Sequence, residues 1–131
     1  NTHDLPTFAG WWGAKDVDDW VDLGLYDEAR AADAKLERAK LTSDLKRRLS
    51  MDEGASAREV HDRIATAVAE GPGDLLLLTL EDLFSEDRPQ NVPGTFDEKP
   101  NWMRRAKEGL EALEKPENDA LLADIRRRRP V

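Results

Sequence analysis

Apolar residues recur at helical spacing along most of the chain. Between residues 27 and 48 almost every position holds a strong helix former, and leucines follow one another every four residues at 41, 45 and 49. On a helix these leucines would form a single apolar stripe, and the rest of the helix surface would be mostly charged. The pattern predicts a long helix that packs on one side only.

A second helix is predicted to begin at Ser56. The spacing of Ser56 and Glu59 is that of a capping box, in which the two side chains satisfy exposed amides at a helix start. The expected buried face consists of Val60, Ile64, Ala67 and Val68. The Gly-Pro-Gly sequence at residues 71–73 is expected to end this helix, because glycine tolerates the left-handed cap and proline cannot continue the turn.

The segment at residues 74–80, DLLLLTL, is a continuous apolar run without polar alternation. Such a run is typical of a strand that is buried on both faces, as in a parallel sheet, although leucine would also permit a buried helix. Its short length and the preceding glycine favour the strand. A long polar loop is expected at 85–99, followed by helices at about 101–113 and 117–128.

A single buried strand cannot form a sheet by itself, so its prediction implies that the rest of the sheet lies outside this sequence. Such a strand needs neighbouring strands for its backbone hydrogen bonds, and the sequence contains no second comparable run. The order helix, strand, long loop, helix matches the last quarter of a (β/α)8 barrel, in which the loops after the strands carry the active site. We therefore expect residues 1–131 to be a single α/β segment of such a barrel, mostly helical, with one buried strand near 74–80.

Charge and composition argue against several classes of function. Acidic residues outnumber basic ones by 28 to 20, and the net charge of −8 disfavours binding to nucleic acid or to a membrane surface. The four arginines at 126–129 fit the carbonyl-rich end of a helix better than a nucleic-acid site. The chain contains no cysteine, which is compatible with a cytoplasmic protein. It also shows no secretory signal and no apolar run near the roughly 20 residues of a membrane span.

The chain opens on a dense group of chemistry-bearing residues, NTHDLPTFAGWW, in which His3 and Asp4 are adjacent. In a barrel, residues 1–7 and the loop at 81–102 would both lie at the carboxyl ends of strands. We therefore expect the two segments to share one catalytic face.

Four separated motifs, NTHDLPTFAGWW, LLLLTLEDLF, NVPGTFDEKPNW and MRRA, resemble the C-terminal portion of bacterial 4-alpha-glucanotransferase, the amylomaltase or disproportionating enzyme. The resemblance covers nearly the whole chain, with the motifs in the order of the family. It implies a (β/α)8 barrel enzyme that transfers α-1,4-glucan segments between maltooligosaccharides with retention of configuration. No cofactor and no metal are expected.

The resemblance also implies roles for individual residues. Asp4 would hold hydroxyls of the sugar at the cleavage point and stabilise the transition state, and His3 would assist it in binding substrate. Asn91, Pro93 and Gly94, in a loop near the substrate cleft, are expected to bind substrate as well. The nucleophilic Asp and the acid/base Glu of the family lie upstream of these motifs. The implied partners are an α-1,4-glucan and the missing N-terminal part of the same enzyme, without which the chain should be inactive.

Structural roles are expected for other residues of these motifs. Trp11 and Trp12 are expected to pack in the core or at a helix start, and Trp102 is expected to anchor a helix. Asn101 is expected to cap that helix, and Arg105 to form a local ion pair. Glu81 and Asp82 are expected to have a structural role at the end of the strand. A free-standing helical module that docks a partner through its apolar stripes is the alternative function. That alternative fits the length, charge and helical content, but it leaves the Gly-Pro loop and the apolar run without a purpose.

Overall fold

Helices account for all regular secondary structure between residues 3 and 129, the part of the chain that the computed structural model describes. Residues 1–2 of the opening motif and residues 130–131 lie outside it. The α-helices in chain order are α1 (Phe8–Trp12), α2 (Lys15–Asp22), α3 (Glu28–Arg48), α4 (Ala57–Ala69), α5 (Leu80–Leu83) and α6 (Pro116–Arg128), with a 3-10 helix at Leu110–Glu114 before α6. None of the helices in this described part is long and apolar enough to cross a membrane.

The first predicted long helix is confirmed as α3. Asp27 caps its start, because the Asp27 carboxylate accepts a hydrogen bond from the amide three residues further on, at 2.8 Å. Ala31 of α3 is buried together with Ala14 and Val17, and this small cluster holds α3 against α2. The rest of α3 is largely exposed, as a one-sided stripe predicts, and even Leu41 of the stripe is exposed.

α4 begins where the capping box predicts. The Ser56 hydroxyl accepts a hydrogen bond from the Glu59 amide at 3.2 Å, and the Glu59 carboxylate accepts one from the Ser56 amide at 2.7 Å. The hydroxyl of Ser56, and then its backbone amide, hold the pKa of Glu59 below its usual value. The helix ends at Ala69, just before the Gly-Pro-Gly sequence.

The expected buried face of α4 is partly wrong. Val60 is buried and Ile64 is half-buried, but Ala67 and Val68 are exposed. The buried positions are instead Val60, His61, Ala65, Thr66 and Ala69. The reason is that α4 lies between α1 and α6 and is therefore covered on two sides, which a single apolar stripe does not reveal.

The prediction of a buried strand near 74–80 is wrong for the described chain. Residues 75–79 form neither helix nor strand, and Leu80 already begins the short helix α5. Leu75 and Leu77 are 76% and 79% exposed, whereas Leu78 packs against the cluster of Ala65, Leu83 and Leu121. Since backbone groups of a strand need partners on neighbouring strands, and the described residues supply no such strand, the apolar run does not form one.

The predicted helix at 101–113 is also wrong, whereas the last helix is confirmed as α6. Asn101 and Trp102 lie in a turn, and only residues 110–114 wind into a 3-10 helix. Trp102 has a φ of 60°, a left-handed conformation that no α-helix contains. α6 begins with Pro116 at its first position, where the missing amide hydrogen costs nothing.

Candidate functional site

Asp4 meets Asn91, which lies 87 residues further along the chain. Asn91 Nδ2 donates a hydrogen bond of 2.8 Å to Asp4 Oδ1, and His3 Nε2 lies 3.3 Å from the same oxygen. The side chains of His3 and Asp4 are both more than half exposed. The three residues therefore form a small polar group that is open to a ligand.

A tight turn at residues 92–95 places Asn91. The amide of Thr95 donates to the carbonyl of Val92 at 3.2 Å, with Pro93 and Gly94 in the central positions. Pro93 favours the first central position, and Gly94 has a φ of 84°, which glycine adopts without strain. Pro93 and Gly94 thus shape the loop that carries Asn91, and neither brings a polar side chain of its own.

Asn101 fastens this turn, so the expectation that it caps a helix is wrong. Asn101 Oδ1 accepts a hydrogen bond from the amide of Val92 at 3.0 Å, and Asn101 Nδ2 donates to Thr95 Oγ1 at 2.8 Å. The oxygen and the nitrogen of its side-chain amide are therefore both occupied by hydrogen bonds to the two ends of the turn. The sequence contains no signal for this contact, because a polar residue before a helix-like segment is ordinarily a cap.

The opening segment is fixed to the body of the molecule at α1. The Thr7 hydroxyl accepts from the Gly10 amide at 3.1 Å, and Asp82 Oδ1 accepts from the Phe8 amide at 2.7 Å. A Cβ at Gly10 would lie 2.6 Å from the carbonyl oxygen of Asp87, so this close approach requires glycine. Asp82 therefore joins α5 to the start of α1, a structural role as expected, but from within a helix and not at the end of a strand.

Ion pairs hold the segment after α5 against the rest of the chain. Lys99 Nζ lies 2.6 Å from Asp19 of α2, and Asp87 pairs with both Lys107, at 2.6 Å, and Lys15 at the start of α2. The hydrogen bonds from Lys107 and Lys15 hold the pKa of Asp87 far below its usual range. The loop that carries Asn91 is thus anchored on both sides.

Two recesses border the polar group. A cleft of about 310 Å³ is lined by Asp4, Asn91 and Pro93 together with Trp20, and its volume is near the lower limit for small-molecule sites. A smaller recess of about 130 Å³ contains His3. Gly94 lines neither of these two recesses. A larger opening of about 430 Å³, lined mainly by cationic side chains including Arg105, contains none of the five predicted site residues.

The tryptophans divide into two groups. Trp11 and Trp12 are half-buried, stack near Phe8, and lie under cations of α3, in agreement with packing roles. Trp102 does not anchor a helix, because it lies in a turn, the next helix begins only at Leu110, and its side chain is 62% exposed. Its ring centroid lies 5.4 Å from that of His3, a contact that sequence reasoning missed.

Comparison with known proteins gives a consistent result. A sequence profile of the 4-alpha-glucanotransferase family matches residues 1–111. A 4-alpha-glucanotransferase of Mycobacterium tuberculosis (strain ATCC 25618 / H37Rv) is 35% identical over 106 residues, which cover 77% of this chain and 15% of that protein. A 4-alpha-glucanotransferase of Haemophilus influenzae is 26% identical over 122 residues, covering 83% of this chain and 17% of that protein.

The chain therefore spans only a small part of the length of these curated relatives. Within the chain, the profile match runs from the opening His-Asp motif through the loop of Asn91 and the turn of Trp102, so it includes every residue of the candidate site. This chain belongs to the 4-alpha-glucanotransferase family.

Proposed function

We propose that the full-length protein is a 4-alpha-glucanotransferase that transfers α-1,4-glucan segments between maltooligosaccharides with retention of configuration. This chain would supply one wall of its substrate cleft. The observation that carries the proposal is the 2.8 Å contact between Asp4 and Asn91 at the edge of a cleft, joining two distant motifs of the family.

The chemistry of the site suits this reaction. Retaining transfer passes through a transition state with positive charge at the anomeric carbon, and groups that bind this state more tightly than the substrate accelerate the reaction. In our proposal Asp4 is such a group, since a carboxylate there accepts hydrogen bonds from ring hydroxyls and opposes the developing charge. Asn91 and His3, both in contact with Asp4 Oδ1, would hold that carboxylate in position.

The remainder of the catalytic domain would be the rest of a (β/α)8 barrel. Two observations support a missing remainder, and its barrel form follows from the resemblance. The chain spans 15% of its mycobacterial relative, and Leu75 and Leu77 expose large apolar side chains on a segment without regular structure. Upstream parts of the enzyme would cover these side chains.

The nucleophile and the acid/base of the family lie upstream of the His-Asp motif, so we propose that the chain alone has no transferase activity. A cytoplasmic location, which the absence of cysteine permits, is part of the same proposal. Membership of a glucan-transferring family favours this function over that of a free-standing helical interaction module.

The test is to incubate the full-length enzyme with maltotriose and to separate the products by chromatography. We expect glucose together with glucans longer than maltotriose, all linked α-1,4. The same assay with the 131-residue chain should give no products. Release of glucose and maltose without longer glucans would indicate hydrolysis and contradict the proposal, as would an inactive full-length enzyme.

A further inference from the structure

Trp102 has a backbone conformation that a large aromatic residue rarely adopts. Its φ of 60° lies in the left-handed region, which is unfavourable for residues with a Cβ and especially for bulky ones. The amide of Trp102 donates a 2.8 Å hydrogen bond to the carbonyl of Gln90, which helps to hold the turn. Glycine or asparagine would fit this position with less strain, so the indole stands here against the preference of the backbone.

Burial within the described residues does not explain the choice of tryptophan. The side chain is 62% exposed, although tryptophan ordinarily removes much of its large apolar surface from water. Trp11 and Trp12, in contrast, pack with Phe8 and with cationic side chains of α3. Strain that is not offset by packing is typical of functional positions.

The surroundings of Trp102 indicate what its ring contacts. It lines the 130 Å³ recess with His3 and Glu81, and Gln90 there adds a side-chain amide, whereas the hydroxyls of the two threonines in the lining cap α1 and α5. The recess is smaller than a complete ligand site, which suggests that it takes one unit of a longer ligand. A flat apolar ring beside carboxylate, imidazole and amide groups matches a sugar, whose ring has an apolar C–H face and a polar rim of hydroxyls.

We propose that Trp102 is a stacking platform for one glucose unit of an α-1,4-glucan, and that Glu81 accepts hydrogen bonds from hydroxyls of the same unit. The proposal rests on the proposed function, and it adds a subsite next to the one assigned to Asp4. Trp102 contacts the glucan away from the reacting atoms, so it contributes equally to binding of substrate and of transition state. Its loss therefore raises KM and changes kcat little.

The experiment compares Trp102→Gly and Trp102→Phe in the full-length enzyme, with maltotriose as the probe. Trp102→Gly removes the ring and also relieves the strain of the positive φ, so we expect an unfolding temperature at or above that of the wild type. Its KM should rise about three- to tenfold, the range expected for one aromatic contact, with kcat within about twofold. Trp102→Phe keeps a flat ring and should recover most of the affinity.

Phe96→Ala is the matched control, because Phe96 is an exposed aromatic residue of the same loop that does not line the recess. It should leave KM unchanged. An unchanged KM in Trp102→Gly would show that Trp102 has no role in glucan binding. A clear fall in the unfolding temperature of this variant would show that Trp102 is a packing residue. Either result would overturn the proposal. If the wild-type enzyme itself transfers no glucan from maltotriose, the proposed function fails, and this inference with it.

Discussion

At the scale of single residues, the candidate site depends on backbone conformation as much as on side-chain chemistry. Gly94 and Trp102 both have positive φ values, 84° and 60°, and the segment between them includes Asn101, which fastens the turn beside Asn91. At Gly94 the residue type suits the conformation, whereas at Trp102 it does not. The strained position is the one with an exposed ring next to His3, and it is there that we place a further function.

Gly94→Ala tests whether the turn requires a residue that adopts the left-handed backbone conformation without strain. A Cβ at Gly94 would meet no atom within 4 Å, so the cost is purely conformational, about 1–2 kcal/mol. We expect faster hydrogen exchange at the amides of residues 92–102 and a lower unfolding temperature. Gly54→Ala is the control, since Gly54 has equal free space and no positive φ. Equal behaviour of the two variants would show that the turn does not depend on Gly94.

At the scale of elements, the loop of Asn91 is held in place by buried and paired carboxylates on the segment that follows α5. Glu86 is almost fully buried and accepts a hydrogen bond from the amide of Lys107. The next residue, Asp87, is 26% exposed and pairs with Lys107 and with Lys15 of α2. These contacts link residues that are far apart in sequence, so they determine where the loop lies relative to α1 and α2.

Asp87→Asn should lower the stability of the full-length enzyme by about 1 kcal/mol at pH 7, the upper range for partly exposed pairs. The folded-state pKa of Asp87 lies below its unfolded value near 4, so the ionised carboxylate favours the folded state. This contribution is complete above about pH 4 and is lost as the pH falls toward the lower folded-state pKa. The difference in the free energy of unfolding between the wild type and Asp87→Asn should therefore become smaller in acid.

The measurement is urea unfolding at pH 7 and at a series of acidic pH values. Asp33→Asn is a suitable control, because Asp33 is exposed on α3 and forms no ion pair within residues 3–129. It should change stability little at any pH. If the free energy of unfolding of Asp87→Asn stayed below that of the wild type by the same amount in acid, the result would contradict the proposed role of the ion pairs.

Elements with local signals were predictable from the sequence, and elements that depend on distant partners were not. The capping box located the start of α4, and the run of helix formers located α3, because both signals involve residues within one or two turns. The apolar run at 74–80 predicts a strand, but strand pairing requires residues that this stretch of chain does not contain. The segment at 101–113 has helical composition, yet the contacts of Asn101 with Val92 and Thr95 determine its path.

At the scale of the whole molecule, the described chain leaves apolar surface uncovered where a larger protein would cover it. Leu77→Ser should destabilise the full-length protein by about 2–4 kcal/mol, the usual cost of removing a buried leucine, if the proposed remainder of the barrel buries this side chain. Leu36→Ser on α3 is the control, since Leu36 is also exposed in the chain. The measurement is thermal unfolding of both variants. Equally small effects would indicate that the leucine run stays exposed in the complete enzyme.

The candidate site was partly predictable at this scale. The barrel interpretation predicts that the opening motif and the loop of Asn91 lie close together, and Asp4 and Asn91 are in contact; the barrel face itself stays a prediction. The roles assigned to these residues stay predictions, because they follow from resemblance alone. The position of Trp102 was not predictable, since an exposed aromatic ring on a strained backbone has no signature in the sequence.

The kinetics of Asp4→Asn in the full-length enzyme test the central claim most directly. The substitution keeps the size of the side chain and removes the charge that we propose to stabilise the transition state. We expect kcat for maltotriose disproportionation to fall on the order of 100-fold, as for the loss of other charge-stabilising groups, with KM changed much less. A kcat equal to that of the wild type would contradict the account and remove Asp4 from the site.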